Sequence, residues 1–120
     1  RCVQLGEMIR DAVAAYEGDE RVAIIGTGGL SHWVGMAEMG KVNEEFDHQL
    51  IDMITRRDID AMLALTDDYV LETAGNGALE YRNWLVAMGA VKEYECELLC
   101  YEPIRPWVTG TAMVEFRFSA

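Results

Sequence analysis

Positive charge is scarce in this chain: 10 lysines and arginines stand against 21 aspartates and glutamates, giving a formal charge of -11. Phosphate backbones are held by concentrations of Lys and Arg, so the composition argues against a nucleic-acid surface. The acidic residues are spread along the sequence and read as solvated faces and helix N-terminal charges. No apolar run approaches the roughly 20 residues that span a bilayer, and no basic-then-apolar segment opens the chain. A soluble, cytoplasmic protein with no membrane partner is expected. Cys2, Cys96 and Cys100 form no CxxC pair, so free thiols in a reducing compartment are expected ahead of a disulfide or a metal site. Histidine occurs only twice, at positions 32 and 48.

What is present is ample apolar material. With 120 residues and 51% hydrophobic composition, the chain has the size and the core of one small domain. Leu5, Met8, Ile9, Ala12, Val13 and Tyr16 recur at helical spacing until Gly18-Asp19 stops the run. Val22-Ala23-Ile24-Ile25 has no helical period, and its β-branched residues suit a strand covered on both faces, over 21–26. Val34 to Val42 reads as loop. Asn43 is the expected N-cap of a helix over about 44–57, whose apolar stripe is Phe46, Leu50, Met53 and Ile54. Asp58 or Asp60 could cap a short helix through Leu65, and Thr66 or Asp67 another through about Thr73. Gly75-Asn76-Gly77 then precedes a strongly helical run over 78–89. Beyond it, residues 94–102 and 111–118 alternate as strands, with Pro103, Pro106 and Gly110 between them. The expected fold is α/β: a single three-layer-like unit with one buried strand, several helices and a C-terminal antiparallel strand pair. The chain opens at Arg1 inside an amphipathic pattern, so we expect the C-terminal portion of a longer polypeptide.

The glycine-rich turn at 26–31 follows the apolar run and presents His32. It is a poor match to a nucleotide loop, because Ser31 stands where the dinucleotide fingerprint has its third glycine and there is no GK[ST]. Ser31 and His32 are adjacent, so in extended backbone they point to opposite sides and do not form a nucleophile and base. On its own, a histidine at a strand end is more often a hydrogen-bonded structural residue than a catalyst. Its place on a turn where α/β sheets gather their sites, and the suitability of imidazole for proton transfer near neutral pH, favour chemistry. Glu80 shares a helical face with Trp84, Ala87 and Val91, the one carboxylate on an apolar stripe. It either answers the helix dipole in the first turn or, if buried, requires a cation or metal. His48, between Asp47 and Gln49, reads as a solvent-facing or helix-packing residue, so counting His32, His48 and Glu80 as a two-histidine, one-carboxylate iron site is not warranted.

Two long motifs supply more. Arg21-Val22-Ala23-Ile24-Ile25-Gly26-Thr27-Gly28-Gly29-Leu30-Ser31-His32-Trp33 and Gly77-Ala78-Leu79-Glu80-Tyr81-Arg82-Asn83-Trp84-Leu85-Val86-Ala87-Met88-Gly89-Ala90 together resemble the class III extradiol ring-cleavage dioxygenases, the relatives of the protocatechuate 4,5-dioxygenase catalytic (beta) subunit. The likeness extends through the Phe46-to-Leu65 region to Tyr101-Glu102-Pro103 and Trp107-Val108-Thr109-Gly110. It implies that residues 1–120 are the C-terminal part of such a catalytic domain.

The resemblance also implies roles. His32 would be the acid/base that takes a proton from a catechol-type diol, and Glu80 a ligand of Fe(II), the implied cofactor. Gly28 and Gly29 would let the backbone approach the aromatic ring, with Thr109 or Thr111 meeting its substituents. Ring opening beside the diol would use O2 and give a muconic semialdehyde-type product. The family's two iron-binding histidines have no match in these residues, so the chain alone is expected to be inactive and His48 is not carried over as a ligand. A small helical partner subunit and a homo-oligomer are further implied. The competing expectation is a catalytically silent α/β interaction module of the same fold. Convergence of His32 and Glu80 on one cleft would favour the enzyme, and separate surfaces the silent module.

Overall fold

A computed structural model describes residues 1–117. Helix α1 (Cys2–Ala14) is followed by a long irregular segment, then α2 (Glu44–Thr55), α3 (Ile59–Ala64) and α4 (Asp67–Ala74). A 3-10 turn over Asn76–Glu80 leads into α5 (Tyr81–Gly89), and strands β1 (Glu95–Ile104) and β2 (Thr109–Arg117) close the described chain. The helix starts follow their expected caps. Asn43, Asp58 and Thr66 each accept a backbone N–H from the first turn of α2, α3 and α4, removing donors that a helix N-terminus leaves unpaired.

β1 and β2 form the expected antiparallel pair, running from Glu95 opposite Arg117 to Ile104 opposite Thr109. The ladder slips between Leu98 and Cys100, leaving Leu99 unpaired as a bulge. The expected strand extended to Phe118, which lies outside the described residues. The core gathers Phe46, Leu50, Ile54, Met62, Val70, Leu85 and Met88 from α2 through α5, with Leu30 from the glycine-rich turn. Burial of each such side chain contributes about 1.5–3 kcal/mol, so this core fixes α2 to α5 as one body. At the α1/α5 crossing, a Cβ on Gly6 would overlap the backbone at Val86, and one on Gly89 the backbone at Val3. Small residues there let the two helices touch.

The α/β class and the strand pair are as expected, whereas residues 21–26 depart from expectation. They form no strand among the described residues. Val22 is 52% exposed and Ile25 79%, so the apolar run is not buried either. The physical reason is the absence of a neighbour: a strand needs a second backbone for its ladder, and the one sheet formed by the described residues consists of β1 and β2 alone. The three cysteines are free thiols.

Candidate active site

The glycine-rich turn is held from three sides. From α5, Asn83 Nδ2 donates to the Thr27 carbonyl at 2.6 Å and Trp84 Nε1 to the Gly28 carbonyl at 3.1 Å. At the start of β2, Gly110 exchanges two backbone bonds with the turn: Leu30 N–H donates to the Gly110 carbonyl and Gly110 N–H to the Ser31 carbonyl. The α4–α5 connection clamps His32 itself, whose N–H donates to the Ala74 carbonyl at 2.9 Å while its carbonyl accepts from Gly77 N–H at 3.1 Å. Gly75 has φ +91, and any Cβ there would overlap the His32 carbonyl. Glycine is required for both reasons.

This clamp fixes the imidazole. Nδ1 of His32 lies 2.9 Å from the Leu30 carbonyl oxygen, and a carbonyl can only accept, so Nδ1 carries the hydrogen. In the neutral imidazole Nε2 then keeps its lone pair, the acceptor that proton abstraction requires. The ring packs so tightly against Gly77 that a Cβ on that residue would overlap Nε2.

Glu80 reaches the same turn from the start of α5. Its side chain is exposed, and Oε2 accepts the Gly29 N–H at 2.8 Å, leaving Oε1 without a hydrogen-bond partner among the described residues. A Cβ built on Gly29 would stand 3.0 Å from His32 Cε1 and 2.7 Å from Thr109 Oγ1. Gly28 packs against the Glu80 backbone and Cβ. His32, Glu80, Gly28, Gly29 and Thr109 therefore meet around a single turn. Thr111 lies two residues further along β2, opposite Glu102, with no described contact to that turn. His48 is exposed on α2, its ring 4.7 Å from that of Tyr101.

Asp47 is a central residue of this region that the sequence reading passed over. Its side chain is fully buried; Oδ1 accepts the Ser31 N–H at 2.7 Å and Oδ2 accepts the Tyr101 hydroxyl at 2.8 Å. Gly110 permits this approach, since a Cβ there would overlap the carboxylate. Burial pushes the Asp47 carboxyl above its ordinary range, opposed by the Ser31 and Tyr101 hydrogen bonds. The Tyr101 phenol is raised by burial and by Asp47, so it stays protonated as the donor. Ser31 is buried as well, its Oγ accepting the Asn43 N–H at 2.7 Å. The residue preceding His32 is thus tied to α2 through backbone and side chain, and to β1 through Asp47.

Among the described residues, no three His, Cys, Asp or Glu side chains come together in a group that could hold a metal ion. Glu80 offers one carboxylate oxygen at the turn that His32 packs against. That fits one corner of a metal site rather than a complete ligand set.

Residues 1–111 match the family described as the catalytic LigB subunit of aromatic ring-opening dioxygenase. The chain belongs to this family. Over 100 residues it is 31% identical to a 2,3-dihydroxyphenylpropionate/2,3-dihydroxicinnamic acid 1,2-dioxygenase of Rhodococcus sp., a match covering 81% of this chain and 32% of that protein. It is 25% identical over 160 residues to the protein of the same name from Photorhabdus laumondii, covering 95% of this chain and 50% of the relative. It is also 33% identical over 91 residues to a gallate dioxygenase of Pseudomonas putida, covering 76% and 26% respectively. The matched stretch is at most about half the length of these relatives.

Proposed function

We propose that this chain is the proton-handling and carboxylate-bearing part of an extradiol dioxygenase catalytic domain, one that opens the ring of a catechol-type aromatic with O2. The observation that carries the reading is the packing of His32 and Glu80 against Gly29, with His32 Nδ1 held by the Leu30 carbonyl and one Glu80 oxygen free of partners among the described residues. Family membership supplies the reaction class. The relatives' names span gallate and dihydroxyphenylpropionate, so the proposal is catechol-type rather than protocatechuate alone.

In this reading Glu80 is one ligand of ferrous iron, and the remaining protein ligands come from parts of the domain outside these residues. The iron, when bound, supplies the charge and the open positions at which a diol and O2 are brought together. This chain's own residues do the rest. The His32 imidazole takes a proton from a substrate hydroxyl at Nε2, while the Leu30 carbonyl holds Nδ1–H and keeps the ring in the productive tautomer. Gly28 and Gly29 keep the turn free of side chains where an aromatic ring would lie. The Gly29 N–H holds Oε2 of Glu80, and Oε1 would remain available to hold the metal. Thr109, which packs at the same turn, or Thr111, two residues along β2, would meet a ring substituent.

Purified chain, loaded anaerobically with Fe(II) and then given a catechol and O2, is expected to hold iron weakly and form no ring-fission product. Robust yellow product from the chain alone would overturn the assignment of missing ligands.

A further inference from the structure

Asp47 lies on the inner face of α2 with Phe46, Leu50, Ile51 and Ile54, and its carboxylate is fully buried. A buried carboxylate is costly unless its oxygens are bound. Its two donors are both uncharged: the Ser31 N–H on Oδ1 and the Tyr101 hydroxyl on Oδ2. The Ser31 N–H belongs to the peptide unit that joins Leu30 to Ser31. The other polar end of that unit is the Leu30 carbonyl, which accepts Nδ1–H of His32 at 2.9 Å. Among the described residues the unit has no further partner. Its peptide bond is trans, and in a planar trans peptide the N–H and the C=O point in opposite directions. Asp47 and the imidazole therefore hold the two ends of one rigid plane.

From this we infer that Asp47 is a positioning residue for His32: by binding the Ser31 N–H it fixes the rotation of the Leu30–Ser31 peptide, and with it the carbonyl that selects the Nδ1–H tautomer and leaves Nε2 of the neutral ring to accept a substrate proton. The peptide units on either side are held by Gly110, which accepts from the Leu30 N–H and donates to the Ser31 carbonyl. Rotation of the middle unit is the freedom that remains, and Asp47 removes it. The carboxylate also polarises the amide, because an N–H donated to a charged acceptor strengthens the carbonyl at the far end of the same unit. Tyr101 secures the carboxylate from β1, and the missing side chain of Gly110 makes room for it. No hydrogen bond joins Asp47 to His32 directly among the described residues, so its influence passes through the peptide. The inference rests on the role proposed for His32. Its test reads the tautomer of the ring rather than turnover, so the peptide link can fail while His32 remains the base, and the base can fail while the link stands.

The test is the imidazole ¹⁵N spectrum of His32 in this chain, assigned with His32→Gln, together with hydrogen exchange of the Ser31 amide. Asp47→Asn keeps an oxygen for the Ser31 N–H and is expected to keep the Nδ1–H tautomer of the wild type. Asp47→Ala removes the acceptor. Its Nδ1–H signature is expected to give way to a mixture with the Nε2–H form, and its Ser31 amide to exchange about tenfold faster or more. Met62→Ala truncates a fully buried side chain on α3 and is expected to lower the melting temperature while keeping the wild-type tautomer, which separates positioning from loss of stability. Should Asp47→Ala not fold, Tyr101→Phe takes its place: the carboxylate is then held from one side, and faster Ser31 exchange with partial loss of the Nδ1–H form is expected. A folded Asp47→Ala, or Tyr101→Phe in its stead, with the tautomer of the wild type would overturn the proposal. So would loss of the Nδ1–H form from Asp47→Asn, which retains the acceptor, or from Met62→Ala, which would show that the tautomer follows overall stability.

Discussion

Gly29 and Glu80, 51 residues apart in sequence, are joined by a backbone N–H donated to a carboxylate oxygen at 2.8 Å. This bond brings the start of α5 against the glycine-rich turn and fixes the Glu80 carboxylate at the glycine against which His32 packs. Because the side chain is exposed, its worth to stability is small, and its value is orientation. Glu80→Gln keeps an acceptor for Gly29, whereas Glu80→Ala does not. Both are expected to change stability by less than about 1 kcal/mol. Exchange of the Gly29 amide should accelerate in the alanine variant and stay slow in the glutamine variant. A loss of several kcal/mol from either substitution would mean that Glu80 is a structural residue.

The contact between His32 and Gly77 makes a sharper prediction. A methyl group at position 77 occupies the space of the imidazole, so Gly77→Ala must displace the ring or the backbone that clamps it. We expect destabilisation of about 1–3 kcal/mol, the usual cost of overpacking. Loss of the Nδ1–H to Leu30 bond should accompany it, visible in the imidazole ¹⁵N shifts as a change of tautomer. An unchanged His32 spectrum with full stability would contradict the packing described.

Asp47 sets a dependence on pH. Its carboxyl is raised in the folded state by burial, so folding favours the protonated form. The stabilising contribution is present below the unfolded pKa of about 3.9 and is lost as pH rises through the folded value. Asp47→Asn cannot ionise and should abolish this component, gaining on the wild type as pH rises from about 4 towards neutrality, in denaturant melts at several pH values. Asp47→Ala leaves the Ser31 N–H and Tyr101 hydroxyl without their acceptor and should cost about 2–4 kcal/mol at any pH. Equal melts for wild type and Asp47→Asn across that range would show that Asp47 does not titrate with folding.

These residues also show what could be read without coordinates. The helix starts were legible because a cap is a local device: Asn43, Asp58 and Thr66 each act on a backbone group three residues away or fewer. His32 and Glu80 were legible as parts of long motifs, although neither pattern nor spacing disclosed that both converge on Gly29. Asp47 was passed over because an aspartate in a first helical turn is fully explained by the helix dipole. Its function depends on Tyr101, 54 residues away. One clue was available: Asp47 stands four residues before Ile51 and seven before Ile54, on the face of α2 that is buried. The run at 21–26 departs from its expected burial for the opposite reason. Its pattern reports the surroundings it suits, and no strand pairs with it among the described residues.

The central claim is the division of labour between His32 and Glu80, and the most direct test is to measure iron content and turnover together in a complete catalytic subunit carrying this stretch. His32→Ala is expected to retain near-normal iron and lose about 10²–10⁴-fold in turnover, the range of a missing general acid/base. Glu80→Ala is expected to lose the iron itself, and turnover with it. Iron lost from His32→Ala and retained in Glu80→Ala would contradict both assignments.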